Sequence, residues 1–213
     1  PFTTSTMQQA GVNKLGFTSK KTMKLAQDLY EQGLITYMRT DSLNLAPSAV
    51  LAARQFLEKE YGKNYVPQAP RFFKTKSKNA QEAHEAIRPT NVQIKSSITK
   101  DHDRLYDLIW KRFLACQMSE ALVDQTSVDV TAGAYLLRAT GSVLKFDGWM
   151  KVYGREEEEK LLPQLKEGEK LNLIKFIPNQ HFTEAPARYT EASLIKTLEE
   201  LGIGRPSTYV PII

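Results

Sequence analysis

The chain has 213 residues, of which 41% are hydrophobic, and a formal net charge of +5 at neutral pH. This length and composition allow one large domain or two modest ones, and the mild basic excess suggests a polyanionic partner without requiring one. No apolar run approaches the roughly 18 residues that span a bilayer, and no signal peptide is visible. The single cysteine, Cys116, excludes an intrachain disulfide and a cysteine-rich zinc site. Together these features predict a cytosolic protein.

The first half of the sequence predicts mainly helices. After Thr18, a residue type that caps helix N-termini, apolar residues recur at helical spacing until Gly33, which ends the pattern. Residues 34–40, LITYMRT, are β-branched and aromatic, which predicts a short strand. Residues 62–80 carry prolines and lysines typical of a surface loop. The predicted helices cover residues 4–15, 20–32, 46–61, 81–87 and 101–118.

The pattern changes near residue 122. Residues 126–133 and 135–149 alternate between apolar and polar side chains, as half-buried antiparallel strands do, and residues 169–182 predict a further strand. The acidic run 156–159 is expected to be a solvated loop. Thr190 then caps a helix with an apolar stripe. The sequence therefore predicts a mixed α and β fold.

Two of the predicted helices end with a similar pattern. LYEQGL at 29–34 and LEELGI at 198–203 share spaced leucine, glutamate and glycine residues, and basic and hydroxyl side chains follow both. A helix followed by such a turn also occurs in winged-helix modules that contact a phosphate backbone. A non-catalytic DNA-binding module therefore stays open as an alternative.

Tyr37 lies in the segment GLITYMRTDS, residues 33–42. On a strand, Tyr37, Arg39 and Asp41 would share one face. A tyrosine hydroxyl is a weak nucleophile at neutral pH, but the charge of Arg39 could assist its attack on a phosphodiester. The product, a phosphotyrosine ester, would conserve most of the energy of the broken phosphodiester bond, so rejoining the strand would need no nucleotide. The sequence accordingly lacks a GxxxxGK[ST] nucleotide-binding motif. On spacing alone, a packing tyrosine is the commoner interpretation.

Two further segments carry candidate phosphate-binding residues. In EAHEAIRPT, residues 82–90, His84 and Arg88 would share one face of a helix and could hold a phosphate. The residue four positions after His84 is arginine, so the HExxH zinc motif is absent, and no carboxylate cluster resembles a two-metal site. GIGRPSTY, residues 202–209, combines two glycines with possible phosphate donors, although an ordinary helix end explains the glycines equally well. These donors are Arg205, Ser207 and Thr208.

Taken together, five segments resemble, in order, the central part of bacterial type IA DNA topoisomerases: PFTTSTMQQA, LYEQGLITYMRTDS, QEAHEAIRPT, FDGW and RYTEASLIKTLEELGIGRPSTY. The resemblance implies that Tyr37 attacks single-stranded DNA and becomes linked to a 5′ phosphate. It also implies that Arg39 and His84 act at the same phosphate. Arg205, Ser207 and Thr208 would lie along the bound strand.

The resemblance also implies a division of the chain. Residues 1–121 would be a mobile helical gate domain that carries the tyrosine, 122–186 part of a β-rich arch or hinge, and 187–213 the start of a helical base domain. A Toprim domain that binds Mg²⁺ and C-terminal DNA-binding domains would lie outside this sequence, which starts without methionine.

The parent protein would then be a cytoplasmic, nucleoid-associated enzyme that relaxes negative supercoils without ATP. This chain alone would be inactive and would hold no metal. A tyrosine recombinase is a second enzymatic alternative. Recombinases, however, need an H-x-x-R motif and a tyrosine near the carboxyl end, whereas Tyr37 precedes His84 here and the spacing is H-x-x-x-R.

Overall fold

The structure, a computed structural model, describes residues 1–73, 84–94, 98–155 and 159–213. The chain divides into two compact units. The first unit contains the described residues of Pro1–Ala121, Asp147–Arg155 and Tyr189–Ile213. The second contains those of Leu122–Phe146 and Glu156–Arg188.

The first unit is helical. Its α-helices are α1 (Thr4–Leu15), α2 (Ser19–Glu31), α3 (Pro47–Tyr61), α4 (Lys100–Ala115), α5 (Met150–Tyr153), α6 (Glu191–Glu200) and α7 (Tyr209–Ile212), with a 3₁₀ turn at Lys63–Tyr65. The predicted helices over residues 4–15, 20–32, 46–61 and 101–118, and the one after Thr190, are confirmed to within a few residues at their ends. Helix α1 packs against α2 and α6, and α2 packs against α4.

Helices α2 and α6 end in the same hydrogen-bonded turn. After α2, the N–H of Gly33 donates to the Tyr30 carbonyl oxygen at 2.8 Å, and the N–H of Leu34 donates to Leu29 at 2.9 Å. After α6, the corresponding bonds join Gly202 to Glu199 at 3.0 Å and Ile203 to Leu198 at 2.8 Å. Both glycines have a φ of +70°, which favours a residue without a side chain. The repeated sequence pattern is therefore a repeated helix C-cap.

Two hydrophobic clusters stabilise the first unit. One joins α1, α2 and α4 to the segments around residues 35–38 and 87, and its fully buried members include Met7, Leu29, Ile35, Ile87 and Ile109. The other joins α3, α4 and α5 and includes Leu57, Phe113, Leu114 and Met118. The segment that carries Tyr37 is thus fixed to the first cluster through its own buried side chains.

The prediction of a strand over residues 34–40 is wrong. Only Ile35 makes a bridge, to Pro89, and the rest of the segment forms no ladder. Its backbone groups form hydrogen bonds with other segments: the N–H of Thr36 donates to the Arg88 carbonyl oxygen, and the carbonyl oxygen of Thr40 accepts from the Thr4 N–H. A β-like sequence therefore lies extended between two neighbouring segments without joining a sheet.

The prediction of a helix over residues 81–87 is also wrong for residues 84–87, while residues 81–83 lie outside the described chain. Ala86 donates its backbone N–H to Asn44 at 2.8 Å, and Ile87 donates to Phe2 at 2.9 Å. These long-range bonds use the amide groups that a helix would need. His84 and Arg88 therefore do not share a helix face.

The second unit contains a hairpin of β1 (Leu122–Ala132) and β2 (Tyr135–Phe146). The strands are antiparallel, with Ala132 paired to Tyr135 across a turn in which Gly133 has a φ of +62°. Both predicted hairpin strands are confirmed, as is the mixed α and β class. The predicted strand over 169–182 is wrong: the segment has no ladder in the described chain, and Ile174 is 98% exposed.

Candidate active site

The segment after Gly33 is held from both sides by hydrogen bonds. On one side, the Thr36 hydroxyl donates to the Ala86 carbonyl oxygen at 2.7 Å and accepts from the Arg88 N–H at 3.0 Å. On the other side, the buried hydroxyl of Thr4 donates to the Met38 carbonyl oxygen at 2.6 Å and accepts from the Thr40 N–H at 2.8 Å. Residues 36–40 are therefore fixed without belonging to a helix or a strand.

Side chains alternate along this extended segment. Met38, Thr40 and Ser42 are buried, whereas Arg39 is exposed and both Tyr37 and Asp41 are half-buried. This is the one-face arrangement expected for Tyr37, Arg39 and Asp41, because extended backbone has the same period of two whether or not it pairs in a sheet.

The outward side chains line a cleft of about 400 Å³ within the first unit. The predicted residues Tyr37, Arg39 and His84 lie in its wall, together with Arg205 and Ser207 from the turn after α6. Three more of the described lining residues were not predicted as site residues: Thr40, Asp41 and Pro206. Residues far apart in the sequence therefore converge at one site.

The ring of Tyr37 lies between two other rings. His84 is on one side, with 5.6 Å between ring centroids and an interplanar angle of 42°. Tyr30, from the last turn of α2, makes an edge contact at 5.3 Å and 67°. The phenol is thus beside an imidazole and against the end of a helix.

The cleft has more positive than negative charge. Arg39 and Arg205 contribute two guanidinium groups, and Asp41 is the one acid among the described lining residues. Neither guanidinium forms an ion pair with a described carboxylate, and both residues are exposed. Unpaired guanidinium groups are suited to bind the two free oxygens of a phosphodiester.

Tyr209 begins α7, directly after the turn that follows α6. This residue is only 6% exposed, and its burial, with the nearby carboxylates of Glu199 and Asp41, raises the pKa of its phenol despite the opposing charge of Arg205. Glu199 also accepts a hydrogen bond of 2.5 Å from the Ser5 hydroxyl on α1. These contacts place Arg205 and Ser207 at the cleft.

Two predicted DNA-binding residues do not line the cleft. The Thr208 hydroxyl is used in its own turn, where it accepts from the Arg205 N–H at 2.8 Å. The Arg88 guanidinium is largely buried and donates to both carboxylate oxygens of Glu85, at 2.7 and 3.1 Å. The DNA-binding roles of Thr208 and Arg88 stay predictions.

Glu85 anchors the segment that carries His84. It accepts hydrogen bonds from Arg88 and from the backbone N–H of Ala46, which precedes α3. Burial alone would raise the pKa of Glu85, but these hydrogen bonds and the charge of Arg88 outweigh it, so the pKa lies below its ordinary value. The motif thus contributes a structural ion pair beside the cleft, formed between residues three apart on a segment that is not helical.

The chemistry of this cleft fits an anionic ester. It offers a hydroxyl nucleophile, two cations to balance charge on a phosphorus centre, and an imidazole next to the nucleophile. The described residues contain no group of three histidine, cysteine or acidic side chains that could bind a metal. In the same part of the chain, no helix has the length and apolar character to cross a membrane.

Comparisons with known proteins agree with this chemistry. Residues 1–213 match the model of a family described as DNA topoisomerase. The whole chain is 56% identical to DNA topoisomerase 1 of Pseudomonas aeruginosa and 53% identical to that of Haemophilus influenzae, and it covers 25% of each relative. The full-length topoisomerase I structure from Thermotoga maritima matches 98% of this chain, and 36% of its own, with a TM-score of 0.84 and 39% identity.

The chain spans about a quarter of the two curated relatives and about a third of the Thermotoga protein. The match nevertheless covers all the segments that carried the resemblance in the sequence, including the three that line the cleft. The chain therefore belongs to the bacterial DNA topoisomerase I family, whose members are type IA enzymes.

Proposed function

We propose that this chain is the strand-cleaving central part of a type IA DNA topoisomerase and that Tyr37 is its nucleophile. The observation that carries the proposal is the convergence of Tyr37, Arg39, His84 and Arg205 at one cleft in a chain of this family. The substrate is a single-stranded stretch of DNA, and the reaction relaxes negative supercoils without ATP.

In the proposed step, the Tyr37 phenol oxygen attacks the phosphorus of one phosphodiester. A bond from phosphorus to the phenol oxygen forms, and the bond from phosphorus to the 3′ oxygen breaks. The phenol loses its proton and the departing 3′ oxygen gains one. One ester replaces another, so the reverse reaction can rejoin the strand without an external energy source.

Arg39 and Arg205 have electrostatic roles in this proposal. Negative charge develops on the phenol oxygen as it loses its proton and moves to the phosphate oxygens and the departing 3′ oxygen as the new bond forms, and two nearby guanidinium groups stabilise it. His84 lies next to the Tyr37 ring, where it orients the phenol and contacts the phosphate. Ser207 adds a hydroxyl donor for the backbone of the bound strand.

Magnesium and the missing domains remain part of the proposal. Because no described cluster of side chains fits a metal ion, no step of the mechanism is assigned to a metal held by this chain. We propose that a Toprim domain and C-terminal DNA-binding domains elsewhere in the longer protein complete the enzyme. On this basis the isolated chain does not relax DNA.

The family likeness also supports roles for the three stretches of the chain. We propose that residues 1–121 form the gate that carries Tyr37, that residues 122–186 belong to a β-rich arch or hinge, and that residues 187–213 begin the base domain. Nucleoid association follows from DNA as the substrate.

The experiment that tests the function compares two tyrosine-to-phenylalanine changes in the full-length enzyme. Tyr37→Phe is expected to abolish cleavage of a labelled single-stranded oligonucleotide while its dissociation constant changes less than about threefold, because only one hydroxyl is lost. Tyr61→Phe removes a hydroxyl at the end of α3, away from the cleft, and is the matched control. Normal cleavage by Tyr37→Phe would reject the assignment and favour a non-catalytic DNA-binding module.

The polarity of the linkage separates the two enzyme classes. Oligonucleotides labelled at either end show which fragment remains bound to the protein after denaturation. We expect the protein on the 5′ phosphate of the downstream fragment. A linkage to a 3′ phosphate would instead identify a tyrosine recombinase.

A further inference from the structure

Tyr30 contacts the ring of Tyr37 although its own side chain is 40% exposed. We propose that Tyr30 is a positioning residue, whose ring fixes the orientation of the Tyr37 ring and hence of its reactive oxygen. The inference rests on the proposed function of Tyr37. Tyr30 would touch neither the DNA nor the phosphate that reacts, and it would act only through the ring of Tyr37.

The two rings are held at a defined distance by the backbone between them. Tyr30 is in the last turn of α2, and its carbonyl oxygen accepts the N–H of Gly33 in the helix C-cap. The cap reverses the chain so that Tyr37, seven residues later, lies against the helix end. The 5.3 Å edge contact therefore joins a helix end to a segment that hydrogen bonds hold after the turn.

Rotation of the Tyr37 ring is restricted on two sides. The rings of Tyr30 and Tyr37 meet edge to face at 67°, a favoured geometry because the positive edge of one ring meets the negative face of the other. His84 lies on a separate segment and contacts the same ring at 5.6 Å. A phenol held by both neighbours at the wall of the cleft loses less conformational freedom when DNA binds.

The core of the unit does not require Tyr30. Its side chain is 40% exposed, and it does not belong to the hydrophobic cluster against which Tyr37 packs. Its neighbours on α2, Ala26 and Leu29, are fully buried and hold the helix in place. Among the described contacts, the Tyr30 hydroxyl makes no hydrogen bond, so the ring itself provides the interaction.

The test uses pre-steady-state cleavage of an oligonucleotide by the full-length enzyme at saturating concentration. Tyr30→Leu is expected to lower the cleavage rate constant by roughly five- to tenfold, which lies within the range of about two- to twelvefold that one aromatic contact gives. Its DNA dissociation constant should stay within about twofold of wild type. Tyr30→Phe keeps the ring and should cleave within about twofold of wild type. Tyr61→Leu, which removes another tyrosine at a helix end, should also cleave normally.

Several results would overturn the inference. Tyr30→Leu could cleave at the wild-type rate, or it could lose DNA affinity as well as rate. Alternatively, Tyr30→Phe could cleave slowly, or Tyr61→Leu could lose as much of the cleavage rate as Tyr30→Leu. Tyr37→Phe is measured in the same series. If it still cleaves, the proposed function fails; if it is inactive while Tyr30→Leu is normal, only the positioning role fails.

Discussion

Thr4 fixes the nucleophile segment through one buried hydroxyl, and the change Thr4→Val tests this role. Thr4 is fully buried at the first position of α1. Its hydroxyl donates to the Met38 carbonyl oxygen and accepts the Thr40 N–H. Valine has nearly the same shape but no hydroxyl, so the change removes the hydrogen bonds while keeping the packing.

The expected cost follows from the groups left behind. Thr4→Val leaves the Met38 carbonyl oxygen and the Thr40 N–H without their hydroxyl partner in a dry interior. The separate backbone bond from the Thr4 N–H to the Thr40 carbonyl oxygen, at 2.8 Å, is retained. An unpaired buried polar group costs about 1–3 kcal/mol, so with two such groups we expect the free energy of unfolding to fall by roughly 2–6 kcal/mol.

Urea unfolding of the 213-residue chain, followed by tryptophan fluorescence, measures this cost. The matched control is Thr197→Val on α6, because the Thr197 side chain has no hydrogen bond in the described structure; it should change stability by less than about 0.5 kcal/mol. A similarly small effect of Thr4→Val would refute the claim that this hydroxyl holds residues 38–40.

Two further predictions concern pH and the isolated chain. Because the folded state lowers the pKa of Glu85, the stability that its carboxylate contributes is present above the unfolded-state pKa and is lost as the pH falls through the lowered folded value. Glu85→Gln should therefore lower the free energy of unfolding in urea by roughly 1 kcal/mol at pH 7 and by almost nothing at strongly acidic pH. The control Glu58→Gln, in an exposed pair with Lys63, should have little effect at either pH. An equal loss of stability in Glu85→Gln at the two pH values would contradict this. The purified chain of 213 residues should not relax negatively supercoiled plasmid in the presence of Mg²⁺, whereas the full-length enzyme should; robust relaxation by the chain alone would show that no missing domain is needed.

The helices were predictable because local residues determine their ends. Thr18 and Thr190 accept the backbone N–H groups at the starts of α2 and α6, and Gly33 supplies the positive φ after α2. Each signal lies within a few residues of the boundary it sets. The hairpin of β1 and β2 was predictable for the same reason, because its two strands are joined by a two-residue turn.

The errors fall where distant residues decide the backbone. Residues 34–40 have strand-like composition, but their hydrogen bonds go to Thr4 and to residues 86–90, which no local pattern reveals. His84 reaches the cleft on an extended segment anchored by Asn44 and Phe2 and not on a helix. Residues 169–182 alternate as a strand does, yet a strand also needs a neighbour to pair with.

The site itself was partly predictable. Sequence motifs identified Tyr37, Arg39, His84, Arg205 and Ser207, and all five line the cleft. The contacts of Tyr30 and Thr4 were not apparent, since a tyrosine at helical spacing predicts core packing and a threonine at the start of a helix gives no sign of a distant partner. The ring of Tyr30 lies 5.3 Å from that of Tyr37, and the hydroxyl of Thr4 bonds to the Met38 carbonyl oxygen at 2.6 Å.

The most direct measurement is to identify the amino acid that becomes attached to DNA. An oligonucleotide that cannot be rejoined would trap the covalent complex of the full-length enzyme, and mass spectrometry of its protease digest would locate the nucleotide on one peptide. We expect a 5′ phosphate on the hydroxyl of Tyr37. A nucleotide on any other residue, or a 3′ phosphate on Tyr37, would contradict it.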